Sequence, residues 1–134
     1  MMKIEAIEGI GEKFAKKLRA NGVRSTGELL KKGASKKGRT DLAEKTGITD
    51  TLILEWVNLA DLMRIKGIGE EYSDLLEEAG VDTVKELRRR SPANLHKAIL
   101  EVNAEKKLVR RPPALSTVED WVNQAKELEP VVTY

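Results

Sequence analysis

The sequence predicts an all-α protein. Apolar residues recur at spacings of three and four, as on one face of an amphipathic helix, and no stretch shows the period-two alternation of a strand. Alanine, leucine, lysine and glutamate, which are good helix formers, dominate the composition. A serine or threonine followed three residues later by glutamate marks several helix starts. We expect about nine short helices in two tandem repeat units, packed as one compact bundle.

The helix starts and ends follow from local signals, taken in order along the chain. Residues 2–7 predict a short first helix or turn, and longer helices are expected near residues 12–21, 50–64 and 70–79. The segment 129–134 is expected to fray. The predicted N-cap residues, whose side chains can accept from the first turn, are Ser25, Ser35, Thr49, Thr83, Ser91 and Ser116. The predicted glycine stops are Gly22, Gly47 and Gly80.

One stretch of the chain occurs twice, at residues 7–12 and again at residues 65–70. At this offset of 58, residues 7–30 and 65–88 share 10 identities in 24 positions. Self-similarity of this kind predicts a repeated structural unit. The identities are Ile7, Gly9, Ile10, Gly11, Glu12, Leu18, Gly22, Val23, Glu28 and Leu29, each with its partner 58 residues later.

The repeat divides the chain into a basic first unit, residues 1–62, and an acidic second unit, residues 63–134. A unit of this size is marginal alone, so we expect the two to pack together. Trp56 and Trp121 are equivalent but lie 65 residues apart, so the second copy carries a loop seven residues longer, near residues 103–115. Both tryptophans lie among apolar residues, which favours a role in core packing.

A hydrophobic-Gly-hydrophobic-Gly pattern precedes the first repeated helix. Gly9 and Gly11 can adopt positive φ and reverse the chain, while Ile10 between them would hold the turn against a core. The first N–H groups of the following helix have no partners within the helix, and they favour anions such as phosphate.

The spacing of Gly9, Ile10, Gly11, Phe14, Leu18, Gly22 and Val23 resembles helix-hairpin-helix modules of DNA-repair and recombinase N-terminal domains. Residues 46–60 resemble the weaker second hairpin of such paired units. The whole chain resembles an uncharacterised bacterial family, domain of unknown function 4332, built from two such units.

The resemblance implies a function for the first hairpin. In helix-hairpin-helix proteins, hairpin amides and nearby lysines or arginines contact phosphates without reading bases. The matching residues here are Gly9, Ile10, Gly11, Lys13, Lys16 and Lys17. Carbonyl groups of related hairpins can hold a monovalent cation, and the matching positions are Glu5, Ile7 and Ile10.

Charge distinguishes the two copies. Residues 12–24 carry a formal charge of +4, whereas residues 70–82 carry −6. A phosphate at the first hairpin would meet amide dipoles and cations together, whereas carboxylates would repel it at the second. Three further basic groups are expected to be solvated faces: Lys36-Lys37-x-Arg39, Arg88-Arg89-Arg90, and Lys106-Lys107 with Arg110-Arg111.

The composition excludes several classes of site. The chain has no cysteine, so it can form neither disulfides nor thiolate sites. His96 is the only histidine and stands in no metal-ligand or catalytic-triad pattern. We therefore expect no enzyme, no metal and no cofactor. No apolar run suits a membrane span and no signal-peptide pattern is present, so a cytoplasmic protein is expected.

Two functions remain open. The first is a non-enzymatic, sequence-nonspecific module that binds the backbone of duplex DNA through the first hairpin. The alternative is a protein–protein interaction scaffold that has lost nucleic-acid binding, and that self-associates through its basic and acidic repeats. The sequence does not determine whether the nucleic acid would be DNA or RNA, what the physiological partner is, or the oligomeric state.

Overall fold

The computed structural model describes residues 2–134, and the regular secondary structure in that range is helical. This confirms the predicted all-α class. The one β-type pairing among these residues is an isolated bridge between Lys3 and Ser25. None of the helices described is long and apolar enough to cross a membrane. The elements are a 3-10 helix (Ile4–Ala6), α1 (Gly11–Ala20), α2 (Thr26–Gly33), α3 (Lys36–Thr46), α4 (Asp50–Leu62), α5 (Glu70–Glu78), α6 (Val84–Arg89), α7 (Pro92–Lys106) and α8 (Leu115–Glu127).

The chain divides into two compact units. The first consists of Met1–Asp61 together with Pro130–Tyr134, and the second consists of Leu62–Glu129. The sequence repeat had assigned the whole of residues 63–134 to the second unit. The last five residues instead belong with the first.

The apolar residues shared by the two repeats form the cores of the units. Each one is buried in both copies, with at most 3% of its surface exposed. Complete burial of such a side chain stabilises a fold by roughly 1.5–3 kcal/mol, so these identities mark core positions. The buried pairs are Ile7 and Ile65, Ile10 and Ile68, Leu18 and Leu76, Val23 and Val81, and Leu29 and Leu87.

Helices α1 and α5 end in the same way. The N–H of Val23 donates to the Leu18 carbonyl at 2.9 Å, and the N–H of Val81 donates to the Leu76 carbonyl at 2.8 Å. These bonds belong to the Schellman ending, in which a glycine lets the chain turn back over the last helical carbonyls. This ending turns the chain from α1 into α2 in the first repeat, and from α5 into α6 in the second.

Side-chain caps begin most of the helices, as predicted. Ser25 Oγ accepts from the Glu28 N–H at 3.1 Å, and Thr83 Oγ1 accepts from the Glu86 N–H at 2.9 Å. The Glu28 carboxylate accepts in return from the Arg24 N–H at 3.1 Å, one residue before the expected partner. Equivalent caps form at the other predicted residues Ser35, Thr49 and Ser91.

The cap predicted at Ser116 is wrong. Helix α8 begins at Leu115, and its N-cap is Ala114, which makes no side-chain bond. Ala114 is extended, with φ −70° and ψ 159°, the backbone region that N-cap residues ordinarily adopt. The Ala114 carbonyl accepts from the N–H groups of Thr117 and Val118, each at 3.1 Å, so the first turn of the helix already includes Ser116.

The C-terminal segment is held against the first unit. The N–H of Thr133 donates to the Ala34 carbonyl at 2.8 Å, and the Tyr134 hydroxyl donates to Asn58 Oδ1 at 3.0 Å. The segment is extended and not helical. The sequence had predicted a frayed end here, because no periodic pattern reveals bonds to residues about 100 positions away.

Candidate nucleic-acid interface

The first glycine turn, residues 7–11, places two glycines at the surface around a buried isoleucine. Gly9 and Gly11 have φ of +92° and +62°, and both are exposed. Ile10 is 1% exposed, and its N–H donates to the Ile7 carbonyl at 3.3 Å. Ile10 therefore fixes the turn to the core, and its amide already has an acceptor within the protein.

Two aromatic rings lie behind this turn. A Cβ built on Gly9 would lie 3.8 Å from Nε1 of Trp56, and the rings of Phe14 and Trp56 have centroids 5.3 Å apart. Trp56 is 2% exposed, which confirms its predicted place in the core. The turn thus rests on a packed aromatic pair, which limits its freedom to move.

The three predicted lysines follow on α1. Lys13, Lys16 and Lys17 are separated by three and four residues, so they share one side of the helix. The buried residues Ala15 and Leu18 occupy the other side. Lys13 and Lys16 are exposed and Lys17 is half-buried. The fold therefore brings three cations together immediately after the glycine turn.

The fourth cation of this helix is used within the protein. Arg19 Nη2 donates to Glu5 Oε1 at 2.6 Å. This hydrogen bond is the main reason that the pKa of Glu5 lies below its ordinary value of 4.5. Arg19 is thus partly neutralised, whereas no ion pair involves Lys13, Lys16 or Lys17 anywhere in residues 2–134.

The second glycine turn, residues 65–69, differs from the first in backbone and in charge. Gly67 has φ +98°, but Gly69 has φ −117°, a value open to any residue, and serves as the N-cap of α5. Glu70 and Glu71 in the first turn of α5 are exposed. At the offset of 58, Glu71 stands where α1 has Lys13, whereas Glu70 corresponds to Glu12.

Part of the acidic face of α5 is neutralised by α7. Lys106 Nζ donates to Glu78 Oε2, and the two groups form an ion pair. The hydrogen bond to Glu78 raises the pKa of Lys106 above its ordinary value of 10.5. Lys106 is therefore committed to a partner and is not part of a free basic surface.

The prediction that Lys36-Lys37-x-Arg39 forms a solvated face is wrong for Arg39. We had predicted a solvated face, but Arg39 is 5% exposed. Its guanidinium donates to the carbonyls of Gly33 at 2.8 Å, Ala34 at 3.0 Å and Thr133 at 2.6 Å. Arg39 therefore caps the end of α2 and fastens the C-terminal segment. No local signal distinguishes it from the exposed lysines beside it.

A second predicted basic group, Arg88-Arg89-Arg90, is also partly engaged. Arg90 Nη1 lies 3.4 Å from Glu86 Oε1, and Arg88 Nη2 donates to the Lys126 carbonyl at 3.4 Å. Arg89 is exposed. The cluster of three consecutive arginines therefore does not form a uniform free surface.

The structure gives His96 a structural contact. Its Nε2 lies 3.0 Å from the Pro113 carbonyl, which can only accept, so the ring donates from this nitrogen. Across residues 2–134 no three histidine, aspartate or glutamate side chains are grouped as a metal site would require. The cation implied at the carbonyls of Glu5, Ile7 and Ile10 stays a prediction.

Comparison with known proteins gives a family and no structural relative. No solved structure matches this chain. Residues 8–128 match the family described as Domain of unknown function (DUF4332), and this range contains the glycines of both turns and helices α1 to α8. The chain therefore belongs to the DUF4332 family.

Proposed function

We propose that this protein is a non-enzymatic module whose first unit binds the phosphate backbone of duplex DNA without reading its bases. In this proposal the first glycine turn and α1 act as a helix-hairpin-helix-type contact. The observation that carries it is the position of Lys13, Lys16 and Lys17 on one side of α1, directly after an exposed turn whose glycines leave no side chain in the way.

The electrostatics of this surface suit phosphates. The first N–H groups of α1 point away from the helix, and their dipoles favour an anion. The three lysines add positive charge on the same helix, and no carboxylate of residues 2–134 pairs with them. Contacts of this kind position a protein on the backbone but carry no sequence information, because every nucleotide has the same phosphate.

Binding of labelled duplex DNA by the full chain, followed by fluorescence anisotropy over a range of salt concentrations, tests the proposal. If about three phosphates are neutralised, a plot of log affinity against log salt has a slope near −2.7. The K13E/K16E/K17E variant is expected to abolish binding. DNA duplexes of unrelated sequence should bind equally well.

The chain offers a matched control in the same unit. Lys31, Lys36 and Lys37 are exposed, so K31E/K36E/K37E makes the same change in net charge away from the turn. This control should keep most of the affinity. If both variants lose binding equally, affinity follows the net charge and the site at the first turn is rejected.

The second candidate is self-association through oppositely charged repeats. It is favoured by one specific contrast: Lys13 is exposed on α1, and Glu71, its equivalent 58 residues later, is exposed on α5. A basic surface and an acidic surface on one chain can meet head to tail between molecules. Sedimentation at low and high salt tests this, because such an assembly dissociates as salt screens the charges. A chain that stays monomeric at low salt rejects it.

A further inference from the structure

The longer loop of the second unit, between α7 and α8, has a fixed backbone. The Asn103 side chain makes two bonds to Val109: its Nδ2 donates to the Val109 carbonyl at 3.1 Å, and its Oδ1 accepts from the Val109 N–H at 2.9 Å. Lys107 adopts φ +52° at the end of α7 and turns the chain into this loop. The loop is therefore tied at its first half to α7.

The second half of the loop is tied to two other side chains. The Tyr72 hydroxyl donates to the Arg111 carbonyl at 3.0 Å, and His96 bonds to the Pro113 carbonyl. Pro113 and Val109 are both buried. The equivalent of Tyr72 in the first unit is Phe14, which has no hydroxyl and no such loop to hold. The second unit therefore has both the seven extra loop residues and a tyrosine hydroxyl that bonds to them.

The loop and α5 together line an open cleft of about 640 Å³. Three cations and one carboxylate contribute to it, so its charge is positive. Leu108, Val109 and the ring of Tyr72 add apolar surface. The charged lining residues are Lys107, Arg110, Arg111 and Glu71.

The cations of this cleft are not used by the protein itself. Within residues 2–134 the side chains of Lys107, Arg110 and Arg111 make no ion pair and no hydrogen bond, and all three residues are exposed. Lys106 and Arg90 of the same unit, in contrast, pair with glutamates. A rigid backbone that carries unpaired arginines loses little entropy when those arginines bind an anion.

We propose that this cleft binds a phosphate group, carried by a free nucleotide or by a nucleic-acid strand. Arginine suits the task because its planar guanidinium can donate two parallel hydrogen bonds to a phosphate. The volume accommodates a ligand of nucleotide size, and Tyr72, Leu108 and Val109 add apolar surface beside the cations. This site is independent of the lysines of α1 and gives the acidic second unit an anion-binding surface of its own.

An NMR titration of the full-length chain tests the site directly. The probes are inorganic phosphate, adenosine triphosphate and a short DNA duplex, and the signals are the amides of residues 108–111 and the Nε–H groups of Arg110 and Arg111. We expect saturable shifts at these signals. In R110Q/R111Q the affinity should fall at least about tenfold, since each charge-assisted hydrogen bond contributes a factor of this order.

Matched variants separate this site from the first one. R89Q/K97Q removes the same charge from exposed residues of the same unit that do not line the cleft, and it should change the affinity less than about twofold. K13E/K16E/K17E should leave the shifts at residues 108–111 intact, even if it abolishes binding at the first turn. R110Q/R111Q keeps the backbone of the loop unchanged, so the Tyr72 hydroxyl can still donate to the carbonyl of residue 111.

Each outcome decides the proposal. Saturable shifts with inorganic phosphate or adenosine triphosphate support it, and binding of adenosine triphosphate without binding of the duplex identifies a free nucleotide as the source of the phosphate. Shifts with the duplex alone support it and identify a nucleic-acid strand. The proposal is overturned if no probe gives saturable shifts at residues 108–111, or if R110Q/R111Q binds no more weakly than R89Q/K97Q.

Discussion

A Cβ built on Gly67 would lie 3.0 Å from Nε1 of Trp121, so the indole nitrogen is packed directly against the second glycine turn. The first turn has the same arrangement between Gly9 and Trp56, but with 3.8 Å between the corresponding atoms. In each unit a second aromatic ring packs on the tryptophan, with nearly equal centroid distances of 5.3 Å and 5.2 Å and the same interplanar angle of 56°. The repeat therefore preserves an aromatic support beneath each turn.

This difference in distance predicts unequal effects of Gly67→Ala and Gly9→Ala. The two glycines have similar φ, +98° and +92°, so the backbone strain of roughly 1–2 kcal/mol is common to both variants. Only at Gly67 does the new methyl group crowd an indole, which should add about 1 kcal/mol or more. Urea unfolding of both variants measures the difference. Equal losses of stability would show that Trp121 moves aside freely.

The backbone angles of Gly11 and Gly69 predict a second contrast. Gly11→Ala should destabilise the fold by roughly 1–2 kcal/mol, because its φ of +62° disfavours a Cβ. A Cβ on Gly11 would meet no atom within 4 Å, so the loss of stability comes from backbone strain and not from a steric clash. Gly69→Ala should cost less, because φ −117° is available to alanine. Thermal unfolding of the pair checks this, and a larger loss for Gly69→Ala would contradict it.

Among the basic residues, substitution of Arg39 should lower the free energy of unfolding most. Arg39→Met removes the donor from three carbonyls while keeping much of the buried volume, and we expect a loss of about 2–3 kcal/mol in the free energy of unfolding. Amide exchange at Thr133 should accelerate, since the C-terminal segment loses one of the hydrogen bonds that hold it to the first unit. Lys37→Met on the same helix is the control and should change stability by less than about 0.5 kcal/mol, because Lys37 is exposed. Similar effects of the two substitutions would contradict the clamp.

The pair between Arg19 and Glu5 predicts a pH dependence. The pKa of Glu5 is depressed in the folded state, so the pair stabilises the fold above the ordinary pKa of 4.5, and this contribution is lost as the pH falls through the lower folded value. In Arg19→Gln the pKa of Glu5 should rise toward 4.5, as followed by NMR titration of its carboxyl group. Lys3→Gln should shift it less, because Lys3 is the weakest of the contributing causes. A pKa unchanged by Arg19→Gln would show that the pair does not persist in solution.

Local patterns in the sequence were sufficient for the helices and most of their ends. Ser25 and Thr83 cap α2 and α6 as predicted, because a cap needs only a hydroxyl and an N–H three residues away. The same kind of local pattern gave the wrong N-cap for α8, at Ser116. Helix α8 begins at Leu115 with Ala114 as its N-cap, and a local pattern of residue types does not reveal which of two neighbouring starts the chain adopts.

The candidate site was predicted in part. Periodicity places Lys13, Lys16 and Lys17 on one side of α1, because the spacing of a helix is fixed. The same periodicity cannot show that Arg19 pairs with Glu5, which lies 14 residues earlier on another element. It also cannot show that the Ile10 amide already donates to Ile7.

By itself, the sequence determined the helical class, the repeated unit, the glycine turns and the buried identities, because each depends on interactions within a few residues or on a period that the chain repeats. Only the tertiary structure decided which charges remain available. Arg39 became a buried clamp, whereas Arg110 and Arg111 stayed exposed on a loop that Asn103, Tyr72 and His96 hold in place. The fate of a charge depends on which acceptors the fold brings within about 3 Å of it, and those acceptors are distant in sequence.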